Sequence, residues 1–305
     1  MTSTAGRIAL GTLALGAACV AYGAGYEVRS FRLRRVEVPV LSPGQPDLRV
    51  LHLSDLHLTP GQHRKREWVR RLATLSPDLV VSTGDHLSHP GAVPALVDAL
   101  WPLLDRPGAF VFGSNDYYAP QLRNPARYLI GPSKAAGRRA PDLPFEAMRS
   151  ELTGRGWTDL NNAQAEVSVD DRRIGFVGVD DPHIRRDRYD AVAGGGPRGV
   201  DLAIGVAHAP YRRVLDAMAA DRLPLILAGH THGGQLCVPA FGALVTNCDL
   251  PVSQAKGLSR HGPAADAPWL HVSAGLGTSP YAPIRFACPP EATLLTLVAR
   301  ADALA

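Results

Sequence analysis

Two histidines one residue apart, His230 and His232, close an apolar run at residues 225–228, and Gly233 and Gly234 follow. On an extended backbone both rings would share a face, because strand side chains alternate with a period of two. On a tight turn the rings diverge and can reach two different centres. The glycines permit such a turn and let another group come close. Taken alone, a His-X-His pair is as often two ordinary loop histidines. The rest of the chain changes that reading. Other apolar runs also stop at a metal-type side chain: residues 48–53 at Asp55 and His57, 79–82 at Asp85, 109–112 at Asn115, and 202–207 at His208. One buried Asp or core His usually has a bland structural explanation. A set of this size, all at strand ends, does not.

The chemistry closes on two ions. The imidazoles of His57, His208, His230 and His232, the carboxylates of Asp55 and Asp85 and the amide of Asn115 exceed what one tetrahedral ion needs. They suit two ions about 3.5–4 Å apart with one carboxylate shared. Nitrogen and oxygen donors without thiolate favour manganese, iron or zinc. Two divalent ions outweigh the carboxylates even after a hydroxide bridges them. The cleft therefore stays positive, draws in an anionic phosphoester and stabilises its developing charge. Such a pair also lowers the pKa of a bridging water until it is the nucleophile near neutral pH, so no Ser or Cys nucleophile is required.

Positioning these groups calls for an α/β framework, in which ligands bind beyond the carboxyl ends of the strands. A helix is expected over residues 62–75, with Trp68, Val69 and Leu72 inward and Arg64, Lys65, Arg66, Arg70 and Arg71 outward. Further helices are expected near 93–104, 145–154 and 211–220. Residues 165–169 and 173–179 read as a hairpin about Asp170 and Asp171, with Asp180, Asp181 and His183 directly after it. Short strands are expected at 236–238 and 244–246, and closing strands at 270–273 and 293–299. Residues 119–143 show little regular pattern and carry Arg123, Arg127, Lys134, Arg138 and Arg139 against Asp142. A structureless loop that long is uncommon unless functional or disordered. With Tyr117, Tyr118 and Tyr128 it reads as a lid or membrane-facing cap, and a plain solvated insertion is the alternative.

Composition bounds the rest. A chain of 305 residues, 46% hydrophobic and 20% charged, can build a sizeable core. A net charge of +4 is too small a bias to argue for nucleic acid, and none is expected as a partner. Cys19, Cys237, Cys248 and Cys288 show no paired spacing, which argues against a cysteine zinc site and a disulfide scaffold. Residues 8–26 carry no charge between Arg7 and Glu27, enough to cross a bilayer as a helix. A cleaved signal peptide is the competitor, but no convincing cleavage site follows, and Gly16-Ala17-Ala18-Cys19 matches a lipoprotein box only loosely. An uncleaved anchor is preferred. Arg29, Arg32, Arg34 and Arg35 follow the span and only Arg7 precedes it. That favours a single-pass protein of the cell membrane with its catalytic part in the cytoplasm. The same arginines could sit on anionic headgroups or belong to a charged strand at 32–40. The expected organisation is an anchor at 1–28, a juxtamembrane basic segment and linker at 29–47, and a catalytic domain at 48–299.

In this order, Asp55-Leu56-His57, Gly84-Asp85, Gly113-Ser114-Asn115-Asp116, His208 and Gly229-His230-Thr231-His232 resemble the motif set of the calcineurin-like metallophosphoesterases. Any one piece is weak; the ordered set is specific. The apolar N-terminus, Gly178-Val179-Asp180-Asp181 and Gly233-Gly234-Gln235 resemble the membrane-associated, bacterial-type branch, which includes enzymes acting on lipid or nucleotide-lipid phosphoesters. The resemblance implies a four-layer α/β/β/α sandwich behind an N-terminal transmembrane helix. It implies hydrolysis of a phosphodiester, phosphoanhydride or phosphomonoester, lipid-linked ones included, by a metal-bridging hydroxide. One ion would be held by Asp55, His57, Asp85 and His232, the other by Asp85, Asn115, His208 and His230, with Asp85 as the bridge. Asp85, Asn115 and His230 are then expected at the reacting centre, and Asp116, Asp181, Gln235 and His86 beside the substrate.

One motif departs from the family. Its third motif usually reads Gly-Asn-His followed by an acid; here it is Gly-Ser-Asn-Asp. An ungapped match puts Ser114 at the ligand position and Asn115 where the histidine belongs. A shift of one residue keeps Asn115 as the ligand, and it is preferred because a serine hydroxyl is a poor neutral ligand. Either way the histidine that helps protonate the leaving group is absent. His86 or His89 could substitute, although both also read as ordinary loop residues. The departure implies a slower enzyme, or a leaving group that needs little protonation. Two rivals remain: a metal-binding interaction module that has lost catalysis, and a binuclear hydrolase of carbon esters or amides. Oligomeric state is left open.

Overall fold

Helix α1 (Thr4–Gly25) opens the chain in the structure, a computed structural model that describes residues 4–122 and 140–300. The stretch expected to form a basic lid lies largely outside the described residues, with Arg123, Arg127, Tyr128, Lys134, Arg138 and Arg139 all there. Ile8, Leu10, Leu13 and Leu15 of α1 are exposed, and the helix has the length and composition of a bilayer span.

Strand β1 (Arg32–Leu41) follows, so the charged strand read at 32–40 forms and takes up most of the segment expected as a basic stretch and linker at 29–47. Its alternation explains why. Val36, Val38 and Val40 turn onto one apolar face while Arg35 and Glu37 stay exposed. Strands β2 (Leu48–Leu53), β3 (Leu79–Ser82), β4 (Gly108–Phe110) and the short β5 (Thr158–Asp159) extend the same sheet in parallel. Helices α2 (His63–Arg71), α3 (Val93–Leu100), a single turn α4 (Ser114–Tyr117) and α5 (Phe145–Thr153) connect them. Pro94 in the first turn of α3 presets a helical φ. Arg70 and Arg71 in the last turn of α2 meet the negative end of its dipole.

The second half builds a second sheet. Strands β6 (Ala163–Val169) and β7 (Arg172–Gly178) form the expected antiparallel hairpin. Strand β8 (Leu202–Val206), helix α6 (Arg212–Ala220) and strand β9 (Leu225–Ala228) come next. A small ribbon, β10 (Cys237–Val238) and β11 (Gly242–Ala243), stands apart. Strands β12 (Gly257–Arg260) and β13 (Trp269–Val272) complete the sheet, and β14 (Glu291–Ala299) returns to the first. The orders are β1-β14-β2-β3-β4-β5 and β12-β13-β9-β8-β7-β6.

Strand periodicity makes four layers. Val50, Leu79 and Val81 of the first sheet face Phe176, Ile204, Leu225 and Leu227 of the second. Their neighbours Leu51, Leu53 and Val80 point the other way, onto Val69, Leu96 and Met148 of the helices. Ile226 and Val272 likewise meet Val214, Leu215 and Met218 of α6. The result is the α/β/β/α sandwich. The carboxyl ends of β2, β3 and β4 on one sheet, and of β7, β8 and β9 on the other, open onto one rim.

Candidate metal centre

Three loops on that rim, after β2, β3 and β9, begin with strained backbone. Asp55, His57, Asp85, His230 and His232 all have positive φ, from 45° at His57 to 69° at His230. This left-handed region costs an L-residue roughly 1–2 kcal/mol, and such outliers point to a functional constraint. Two glycines let the loops touch. A Cβ on Gly113 would collide with Asp85 Oδ1 and the His208 ring, and one on Gly229 with the Ser54 hydroxyl.

The side chains converge. Asp85 lies between His57 Nε2 (3.4 Å) and His208 Nε2 (3.5 Å). His232 Nε2 is 3.8 Å from Asp55 Oδ1, and His230 Nδ1 is 3.2 Å from His208 Nε2. Asn115 donates to Asp85 from its backbone N–H (2.8 Å) and its amide (2.7 Å). Asn115, not Ser114, is therefore the residue that meets Asp85. Donor atoms of Asp55, His57 and His232 fall within 4.8 Å of one another, and so do those of Asp55, Asp85 and His208.

Two of the rings, His208 and His57, are aimed from behind. His208 Nδ1 donates to the Thr83 carbonyl (2.6 Å), which turns Nε2 to the centre. His57 Nδ1 meets Ser88 Oγ (3.0 Å). The buried Arg285 donates to the carbonyls of His232 (3.3 Å), Ala274 (2.7 Å) and Gly277 (2.8 Å), tying the His232 turn to the loop after β13. Asp55 is held by a relay: Thr83 Oγ1 donates to Ser54 Oγ (2.7 Å), which donates to Asp55 Oδ2 (2.6 Å). Ser88→Ala is expected to leave the fold intact and weaken ion binding by about 10–100-fold, read by chelator competition. Unchanged affinity would remove Ser88 from the support of His57.

Asp55 Oδ1 and His57 Nε2 are buried without a hydrogen-bond partner, and both face the centre. The electrostatics agree. Burial, followed by Lys65 and His208, lowers His57 to about 3, and burial with neighbouring histidines holds His230 and His232 well below the usual value. Neutral imidazoles are what metal ligation requires. Burial pushes Asp55 upward, with Asp85 adding to it. Burial alone would lower His208, but Asp85, Asp181 and Asp55 outweigh it and raise it to about 9. Buried acids and imidazoles crowd one cleft, and this donor set fits divalent ions.

The residues expected beside the substrate divide. Asp181 is buried near His208 and Asp85; its Oδ1 accepts from the His183 N–H (2.8 Å) and its Oδ2 has no partner. Asp116 points into the loop frame, accepting from the backbone N–H groups of Asp85 (3.0 Å), His86 (2.8 Å) and Gly113 (2.9 Å). His86 is fully buried between Asp116 (3.1 Å) and Ser82 Oγ (2.8 Å). Gln235 donates to the carbonyls of Ala282 and Ile284 (3.0 Å each). Their geometry favours framing over the substrate contact expected of them. Tyr117, expected in a cap, is buried, and its hydroxyl donates to Asp180 (2.9 Å). His183 lies against His230 with ring centroids 4.5 Å apart, and its Nδ1 meets the Tyr211 hydroxyl (3.0 Å). Ser88, Thr83, Asn247 and Arg285 were not expected at the site. They act through tertiary contact, which no local spacing reveals.

Two facing sheets with a buried Asp–His rim at their strand ends form a scaffold whose donor atoms could hold divalent ions. Residues 48–234 match the family model for calcineurin-like phosphoesterases, and the chain belongs to that family. The family is dimetal-dependent and its members are generally hydrolases of phosphoric esters. A bovine transmembrane protein with metallophosphoesterase domain is 32% identical over 66% of this chain and 44% of its own length. The chain thus spans under half of that relative. The Bacillus subtilis uncharacterized metallophosphoesterase YkoQ is 27% identical over 82% of this chain and 84% of its own length. The Escherichia coli phosphodiesterase YaeI is 25% identical over 88% of each chain.

Proposed function

We propose that this chain is a two-metal phosphodiesterase held at a membrane by α1. The buried Asp55 Oδ1 and His57 Nε2, which have no hydrogen-bond partner at the shared rim, support this reading most. Asp55, His57, Asp85 and His232 would hold one ion, and Asp85, Asn115, His208 and His230 the other. Manganese, iron and zinc all suit the donors. The ions, when bound, activate water and draw charge from the phosphate oxygens. Asp85, as the shared ligand, would lie between them. His208 and His57, locked from behind by Thr83 and Ser88, keep their Nε2 atoms on the centre. The preference for a diester follows the name of the Escherichia coli relative, and α1 favours a lipid-linked one.

The histidine missing from the Gly-Ser-Asn-Asp motif has a stand-in from another loop. His183 packs on His230 at the mouth, and Tyr211 orients it. It would donate a hydrogen bond to the leaving oxygen. His183→Gln is expected to slow hydrolysis of alkyl diesters by about 10²-fold and to change aryl diesters only a few-fold. Equal loss on both leaving groups would sink this role. The substrate class is tested by comparing bis(p-nitrophenyl) phosphate with p-nitrophenyl phosphate on the manganese-loaded full chain. The diester is expected to react at least about tenfold faster. A faster monoester would overturn the assignment, and bound metal without turnover of either would favour a non-catalytic metal-binding module.

A further inference from the structure

The exposed apolar surface is concentrated in one place. Among the described residues outside α1, the exposed large hydrophobic side chains are Tyr26, Trp101, Leu122, Val238, Phe241, Leu244, Val252 and Tyr281. Five of these, from Val238 to Tyr281, lie on the β10–β11 ribbon or on segments flanking it. Phe241, at the ribbon turn, is 72% exposed. Residues 236–248 contain no charged side chain. A polar turn would suit a ribbon that met only water.

The ribbon is rooted in two places. One root is the metal centre. The ribbon leaves directly after His232 and Gln235, and it returns to Asn247, whose carbonyl lies 3.3 Å from His230 Nε2. The other root is the base of α1. Cys237 N–H donates to the Phe286 carbonyl (2.8 Å), and Phe286 N–H donates to the Gln235 carbonyl (3.0 Å). The Phe286 ring packs edge-on against Tyr22 of α1 at 6.0 Å. Glu27 accepts from the backbone N–H groups of Ala287 (3.0 Å) and Cys288 (2.6 Å). A Cβ on Gly23 would stand 2.6 Å from the Arg285 carbonyl oxygen, so helix and loop touch through backbone. Tyr22 and Tyr26, 5.5 Å apart, mark the end of the apolar helix just before Arg29. That is the aromatic level of a membrane interface.

We propose that the β10–β11 turn, led by Phe241 with Val238 and Leu244, inserts into the same bilayer interface that α1 crosses. The inference rests on reading α1 as an anchor. It turns the ribbon wall of the metal centre toward the headgroup layer, so the phosphoester is taken from the lipid surface and not from bulk water. The continuity of ribbon, Phe286 loop and helix base makes the bilayer the occupant of this patch. Arg32 and Arg35, exposed on the strand that follows the helix base, suit anionic headgroups.

The test uses the full chain in phosphatidylcholine–phosphatidylglycerol nanodiscs, with and without brominated acyl chains. Tryptophan emission is compared for the unaltered protein, for Phe241→Trp and for Ser168→Trp on the edge strand β6. The emission added by Phe241→Trp is expected to fall about twofold in brominated discs, and that added by Ser168→Trp to stay unchanged. Unquenched Phe241→Trp in a chain that still co-purifies with discs overturns the insertion and leaves the anchor standing. A chain recovered outside the discs, with Phe241→Trp unquenched, overturns both. Emission that follows protein concentration and ignores bromination assigns the ribbon to a second copy of the chain and also overturns the proposal. A second readout is Phe241→Asp. It is expected to lower kcat/KM about tenfold on a disc-embedded alkyl p-nitrophenyl phosphodiester and to leave bis(p-nitrophenyl) phosphate unchanged. Equal effects on the two substrates count against insertion.

Discussion

Asp85→Asn is expected to give a folded protein whose kcat/KM on bis(p-nitrophenyl) phosphate is lower by about 10³-fold or more. The expectation comes from its position. Asp85 stands between His57 Nε2 at 3.4 Å and His208 Nε2 at 3.5 Å, and its two oxygens receive the Asn115 backbone and amide. It thereby meets His57 and Asn115 from loops of the first sheet and His208 from the second. Shared between two cations, its charge would stabilise the transition state by several kcal/mol, and each 1.4 kcal/mol is about tenfold in rate. Asparagine keeps the volume and can still accept from Asn115, so melting temperature should change little. Metal content should fall to about one ion per chain or fewer. A variant that keeps its rate within about tenfold would mean that Asp85 does not bridge.

Asp116→Ala has its large effect on stability. Its carboxyl group is fully buried and accepts from the backbone of Asp85 (3.0 Å), His86 (2.8 Å), Leu87 (3.3 Å) and Gly113 (2.9 Å), and from His86 Nδ1 (3.1 Å). Alanine would strand these donors in the interior, each at about 1–3 kcal/mol. Allowing for relaxation, the expected loss is about 4 kcal/mol, or roughly 10 °C in Tm for a domain of this size. Asp116→Asn, which keeps the shape, should fall in between. A residue that only contacted substrate would behave differently: KM would rise and Tm would hold. Thermal unfolding with steady-state kinetics on the three proteins separates the two roles.

Much of this was legible in the amino-acid order, for physical reasons. Apolar runs ending at Asp55, Asp85, His208 and His230 mark strands buried on both faces, and their burial leaves little choice of geometry. The bounds of β9 at Leu225 and Ala228 follow from that run alone. Strand β1 was harder, because Arg32, Arg34 and Arg35 mask the Val36-Val38-Val40 face until β14 lies beside it. Strand β12, Gly257–Arg260, is half-exposed and polar, so it has no strong local signature and exists through its pairing with β13. Within the centre, sequence offers residue types but not directions. Asp116 and Asp181 look equivalent as acids after a strand. One is consumed by backbone donors and the other keeps an unpartnered oxygen. Arg285 is the extreme case. Its chain neighbours Ile284 and Phe286 say nothing of a guanidinium threaded behind His232.

The most direct test of the two-ion centre is metal content against activity in the full chain. The protein is stripped with chelator and titrated with manganese, and bound metal and diester turnover are measured on the same samples. Two ions per chain are expected, with turnover rising only as the second ion binds. The second equivalent should be lost in Asp85→Asn. Saturation at one ion with full activity, or turnover that survives complete removal of metal, would contradict the account.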